Sequence, residues 1–262
     1  MTSPFDASPR ALAARFERDP RLPDGAGDRF VGYGALGLTF ASGHVLALRR
    51  WTASSLGAPY ASVWHRTPEG AWRFLANAPP DLACTRYTSA IAAESHHTEV
   101  AVEWTASDAL RIEVPAVGLR WSLRLRAIPA THVFATVRPW LRERWLASDH
   151  ALVALGAIAG TALGAGTIRL VGRMPNGQRY RVVPHAVWEI ADVSATIDGV
   201  SLDAIAVPRV APSVGDFQIP RRPLFAFATA RFQTVQGRGS RPFPGRVERR
   251  APPVVSPIVD QP

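Results

Sequence analysis

The chain has 262 residues, with 30 basic against 21 acidic side chains and a net charge of +9, and every one of the 30 is arginine. The absence of lysine excludes Schiff-base chemistry, pyridoxal-phosphate attachment and a Walker-type phosphate loop, each of which needs a lysine amine or ammonium. With 47% hydrophobic and 19% charged residues the composition is that of a folded domain, and the single cysteine, Cys84, excludes an internal disulfide and a Cys-based zinc site.

Residues 1–27 read as a polar lead-in. Ser8 before Pro9 is a helix start, and Leu12 and Phe16 fall one turn apart on a short helix. Pro4, Asp6 and Pro9 stand where a signal peptide needs an apolar core, which points to a cytoplasmic protein. From Asp28 to about Arg138 the pattern is β. Gly32, Gly34, Gly37 and Gly43 punctuate its start. The run Gly32–Gly37 has the spacing GxGxxG but no helical pattern after it, so tight packing is expected there rather than dinucleotide binding.

Strands are predicted at 44–51, 59–66, 71–77, 98–105, 109–115 and 118–128. The last three form a meander. Leu119, Trp121, Leu123 and Leu125 alternate with Arg120, Ser122, Arg124 and Arg126, so each strand buries one face and wets the other. On the wet face Glu99, Glu103 and Glu113 can sit opposite Arg111, Arg120 and Arg124, worth a few tenths to about 1 kcal/mol per pair. One long helix is predicted over 139–163. Strands resume at 166–174 and 178–183 across a Pro175-Asn176-Gly177 turn, then at 187–200 with a turn at Asp198-Gly199, and at 224–234. Residues 236–262 read as a disordered tail rich in Arg and Pro. The whole is a mainly β chain. Residues 28–235 form one antiparallel lipocalin-like barrel, or sandwich, with one long helix.

Tryptophan is the first candidate for function. Trp64, Trp72, Trp104, Trp121 and Trp188 lie on predicted strands, where inward rings either line a cavity for a flat apolar ligand or fill the core. Acid–base candidates are Glu189, Asp216 and His65, each beside an aromatic residue; an apolar wall suits a carboxylic acid to proton donation. No metal or cofactor is expected. His96 and His97 point to opposite faces of a strand, and His97 with Glu99 supplies two ligands only. Residues 150–168 contain no Asp, Glu or Arg, and Gly156, Gly160 and Gly164 recur every four residues. Trp140, Trp145, Arg138, Arg142 and Arg144 precede them like an interfacial collar. Close packing on the barrel and membrane contact are the two readings of that helix. The arginines are scattered apart from Arg238, Arg241, Arg246, Arg249 and Arg250 in the tail, so no nucleic-acid partner is expected.

Five stretches carry a resemblance: Asp28–Gly34, Ser42–Arg50, Ser62–Arg66, Cys84–Tyr87, and Gly166–Gly172 with Pro175–Gln178. Together they resemble a bacterial protein family over residues 28–235. More remotely, the layout is similar to the lipocalin-like proteins that include carotenoid 1,2-hydratases and tocopherol-cyclase-type enzymes. That resemblance implies a barrel with an apolar ligand, terpenoid or lipid-like. Ala186-Val187-Trp188-Glu189-Ile190 is the nearest stretch to the Trp-bearing acidic segment of those proteins. Binding of an apolar small molecule is therefore the leading expectation. The alternatives are a hydratase, isomerase or cyclase that protonates an alkene through Glu189 or Asp216, and a membrane-surface protein using the helix and the tail.

Overall fold

The computed structural model describes residues 8–141 and 143–233. Helix α1 (Pro9–Arg18) starts where Ser8 accepts from the Ala11 amide, with Pro9 at its first position, and buries Leu12 and Ala13. Strands β1 (Asp28–Leu36), β2 (Leu38–Thr39), β3 (Val45–Ser54), β4 (Tyr60–Arg66) and β5 (Trp72–Ala76) follow. The turn of helix α2 (Thr85–Thr88) leads into β6 (Ala92–His97). The meander is β7 (Ala101–Trp104), β8 (Ala109–Val114) and β9 (Leu119–Arg126). Helices α3 (Pro129–Val137), α4 (Glu143–Leu146) and α5 (Asp149–Ala162) come next. Strands β10 (Val171–Arg173), β11 (Arg179–Ile197), β12 (Val200–Ser201), β13 (Ser213–Val214), β14 (Phe217–Gln218) and β15 (Leu224–Phe232) complete the chain described.

Thirteen strands make one sheet in the order β6-β5-β4-β3-β1-β15-β11-β9-β8-β7, with β2, β10 and β12 pairing off that path; β13 and β14 form a separate hairpin. The sheet curls strongly into a half-barrel. Its two edge strands, β6 and β7, are consecutive in the chain and only Thr98–Val100 joins them. Gly32 and Gly34 on β1 permit the curl: a Cβ at either would run into the Arg50 or Leu48 carbonyl of β3. In this setting the glycines serve close packing, as expected.

Two cores result. The inner one draws on both ends of the strand order, from Leu46, Leu48, Val63 and Leu75 to Ile112, Trp121 and Leu123. It therefore lies inside the curl. The outer one gathers Phe30, Trp51, Tyr60, Trp64, Trp72, Phe74, Cys84, Tyr87, Tyr180 and Phe232 on the other face of β1, β3, β4, β5 and β15. Central strands buried on both faces are the reason their sequences show no clean alternation.

Four expectations need correction. The sheet is not wholly antiparallel, because β6, which the sequence does not announce, pairs parallel to β5. The long helix of 139–163 is instead a succession: α3, a 3-10 turn at Arg138–Trp140, α4 and α5. Pro139 lacks an N–H and tightens the chain at the end of α3; Ser148, in an extended conformation, restarts it as α5. The strand expected at 166–174 shrinks to Val171–Arg173, because residues 166–168 lie against α5. The two strands expected at 178–183 and 187–200 are one, β11, whose register shifts between Pro184 and Ala186 and between Ile190 and Asp192. The tail of 236–262 lies outside the described residues.

Candidate functional site

The parity of β3 aims Val45, Ala47, Arg49 and Trp51 at the outer face. Across the ladder Trp51 faces Tyr60, Arg49 faces Ser62 and Ala47 faces Trp64; on the next strand Trp64 faces Phe74. An arginine thus stands in a row of aromatic and aliphatic side chains. It is 8% exposed. Its guanidinium carbon lies 4.7 Å from the Trp64 ring centre and 5.3 Å from that of Phe217, which β14 lays over it. Nη1 donates to the Leu48 carbonyl at 3.0 Å. Among the described residues no carboxylate lies in ion-pair range of Arg49, and Trp64 Nε1, also buried, has no hydrogen-bond partner.

Beside this guanidinium the Cys84 sulfur is ringed by polar groups. Trp51 Nε1 donates to it at 3.4 Å and Ser62 Oγ at 3.5 Å, and Tyr60 Oη lies at 3.4 Å. Burial pushes the Arg49 pKa down to about 10, against the attraction of Cys84 and Tyr60, so the group stays charged at neutral pH. Burial and the neighbouring Cys84 push the Tyr60 phenol up, which keeps it protonated. The site therefore holds one fixed positive charge and a surplus of donors inside an aromatic wall. Such a group is costly unless an acceptor meets it. Its chemistry is recognition of an anion carried on an apolar body.

The five candidate tryptophans do not share one cavity. Trp64 and Trp72 belong to the outer core; Trp104, Trp121 and Trp188 pack with the inner one. Inside the curl, Trp121, Phe225 and Phe227 are almost wholly buried, and the rings of Phe225 and Trp188 each meet Phe227 edge-on at 5.6 Å. His65 is buried and its Nε2 lies 2.8 Å from His44 Nδ1. Burial, then His44 and Arg73, hold its pKa down to about 4. It is a neutral partner in a stacked imidazole pair.

Glu189 lies between arginines, not against an apolar cavity. Arg126 Nη2 donates to Oε2 at 2.6 Å and Arg222 Nη2 to Oε1 at 2.9 Å. Both oxygens thus face guanidinium groups, the setting of a charge-paired strut between β9, β11 and the loop before β15. Asp216 sits in the β13–β14 turn, accepts from the Arg173 amide at 2.8 Å and borders an open recess of about 410 Å³ with Asp149, Val153, Gly172, Arg173 and Arg179. A second recess of about 310 Å³ lies on the wet side of β8, β9 and β11, lined by Arg111, Glu113, Arg120 and Ser194 among others. Among the described residues no three His, Cys, Asp or Glu side chains are grouped to hold a metal.

Arg49 is the residue the sequence reading missed. It shares a strand face with Val45, Ala47 and Trp51 rather than with Arg50, but β3 is buried on both faces and shows no alternation that marks that face in the sequence. No family model matches the chain, and no curated protein matches it. Among solved structures the chain is similar to an acetoacetate decarboxylase from Legionella pneumophila subsp. pneumophila, at 10% identity and a TM-score of 0.39, over 82% of this chain and 89% of that one. A likeness this distant carries no argument about activity.

Proposed function

We propose that the protein binds a small apolar acid, with a ring or terpenoid-like skeleton and a carboxylate, at the aromatic face around Arg49. The observation that carries this reading is a buried guanidinium with no carboxylate partner among the described residues, held between Trp64 and Phe217. The ligand carboxylate meets Arg49, and its skeleton takes the place of the half-buried Phe217 ring against Trp64. The close packing of rings inside the curl supports the outer face, rather than the interior of the barrel, as the seat of the apolar ligand. The commitment of both Glu189 oxygens to arginine leaves alkene protonation without its proton donor at that residue.

Tryptophan fluorescence tests this. A panel of apolar carboxylic acids should quench emission at micromolar concentration. The matching alcohols should bind about tenfold to a hundredfold more weakly, the worth of one charge-assisted hydrogen bond. Equal binding of acid and alcohol, or no quenching by either, would sink the reading.

A further inference from the structure

We infer that the helical layer of α3, α4 and α5 is a docking surface for an anionic lipid bilayer. This rests on a different part of the outer face from Arg49, the helices over β11 rather than the aromatic row of β3 and β4, and does not depend on the ligand proposed there. The layer covers the outside of β11: Ala130 of α3 and Ala159 of α5 pack around Leu163, Leu224 and Val187, and Leu146 of α4 with Leu152 of α5 packs against Leu170 and Val183. Its inward side is built for close approach. Gly156 and Gly160 abut the Ile168 and Gly166 carbonyls, where a Cβ would collide. The glycine stripe of α5 is thereby occupied by the chain's own return segment.

The outward side is the anomaly. A surface helix normally shows solvent a polar face. The exposed residues of α5 are His150, Val153, Ala154, Ala157, Ile158, Thr161 and Ala162, with no side chain of fixed charge. Ile158 is 67% exposed and Val153 60%. On the preceding segments Val133 is 62% exposed, Trp140 79% and Trp145 53%. Large aliphatic side chains with two protruding tryptophans, all on one layer, have the make-up of an interfacial surface rather than a solvated one. Among the described residues no helix is long and apolar enough to cross a membrane. The layer would lie on the bilayer, not span it.

Charge decides between a bilayer and a second copy of the chain. The protein carries +9, which opposes self-association and favours an anionic partner. The sequence places Arg142 and Arg144 between the two tryptophans, and the chain beyond Gln233 holds Arg238, Arg241, Arg246, Arg249 and Arg250 against Glu248 and Asp260. That stretch starts at the same layer. The Gln233 amide donates to the Arg179 carbonyl, and the Arg179 guanidinium pairs with Asp149, the first residue of α5. An exposed apolar layer together with a net positive charge is the two-signal arrangement that anchors peripheral proteins. The neighbouring recess balances Arg173 and Arg179 with Asp149 and Asp216, so no single headgroup is selected.

Co-sedimentation of the full-length protein with phosphatidylcholine vesicles, and with vesicles carrying a quarter phosphatidylglycerol, tests the inference. The expected result is binding to the anionic vesicles at least tenfold tighter than to the neutral ones, weakened by salt. Ile158→Glu and Trp140→Ser should each lower that binding about tenfold at unchanged melting temperature; Val200→Glu, equally exposed but on the β11–β12 hairpin, should not. Serine at the five tail arginines in the intact chain should also weaken it. No preference for anionic vesicles overturns the inference. So does binding that ignores Ile158→Glu, which would leave arginine attraction alone. A dimer in sedimentation velocity that Ile158→Glu dissociates would assign the face to a second copy instead.

Discussion

Arg49 is a residue whose presence stability alone does not explain. A buried charge contributes little to folding when its pairing is incomplete, and replacing such a group by an apolar side chain of similar size is often neutral or stabilising by about 1–4 kcal/mol. Arg49→Met should therefore leave the fold intact or raise its denaturation midpoint in urea, while removing the preference for acids over alcohols. A loss of more than about 2 kcal/mol in the same urea titration would mark Arg49 as a structural group. The histidines give a second residue-scale test. His65 and His185 are both held down to about 4, His65 chiefly by burial with His44 and Arg73, His185 chiefly by burial with Arg138. Between about 4 and the unperturbed value near 6.5 the unfolded chain binds more protons than the folded one, so stability rises with pH across that window. Stability should be full above pH 6.5 and fall on acidification by about 1.4 kcal/mol per pH unit for each histidine, levelling below 4. His65→Gln should flatten this profile, measured by urea midpoint against pH. Neither Arg49 nor the His44–His65 contact was legible in the sequence. Both depend on which residues of separate strands share a face, and β3 and β4, buried on both sides, carry no alternation that reveals it.

At the scale of elements, β9 was the most legible piece of the chain. Its alternation of Leu119, Trp121, Leu123 and Leu125 with polar residues reappears as strict alternation of burial, and the expected facing of Glu103 and Arg111 is seen at 3.8 Å. The Asp198-Gly199 turn was legible for a similar reason: both residues adopt the positive φ that the two-residue hairpin requires. Strand β6 was not legible, because Ala92–His97 is largely exposed and offers no apolar face to read. The break of the expected long helix was written in Pro139 and Ser148, yet Pro139 reads equally as a helix start and the apolar composition of residues 150–168 carries the helical pattern on. The α5 glycines separate two explanations of that composition. Gly160→Ala meets the Gly166 backbone, which cannot move aside as a flexible side chain would, and should cost about 1–3 kcal/mol despite the better helix propensity of alanine. The exposed Ala157→Gly should cost only about 1 kcal/mol. Thermal melts of the two variants check the difference; a gain in stability from Gly160→Ala, which helix propensity alone would give, would mean that Gly160 makes no special contact.

At the scale of the whole molecule, the sheet is a curl whose edges meet through three residues rather than through a ladder of hydrogen bonds. Amide exchange should accordingly be fastest, among the strands of the main path, in the outer rows of β6 and β7 and slowest in β1, β3 and β15 at the centre of the strand order; uniform protection would imply a closed barrel. The mainly β class was legible from strand count and spacing. The barrel-like curl was legible from the same spacing; its cause was not, because it lies in Gly32 and Gly34 letting β1 lie against the β3 carbonyls. The same curl fills the interior with rings and turns Arg49 to the other face, so a ligand bound there stabilises the whole sheet by mass action. The most direct measurement is the melting temperature of the wild type and of Arg49→Met with an apolar acid at about one hundred times its dissociation constant. The wild type should rise by roughly 5–10 °C, from about 2.7 kcal/mol of linkage in a domain of this size, and Arg49→Met by less than about 2 °C. An equal rise in both proteins, or none in either, would contradict a ligand site at Arg49.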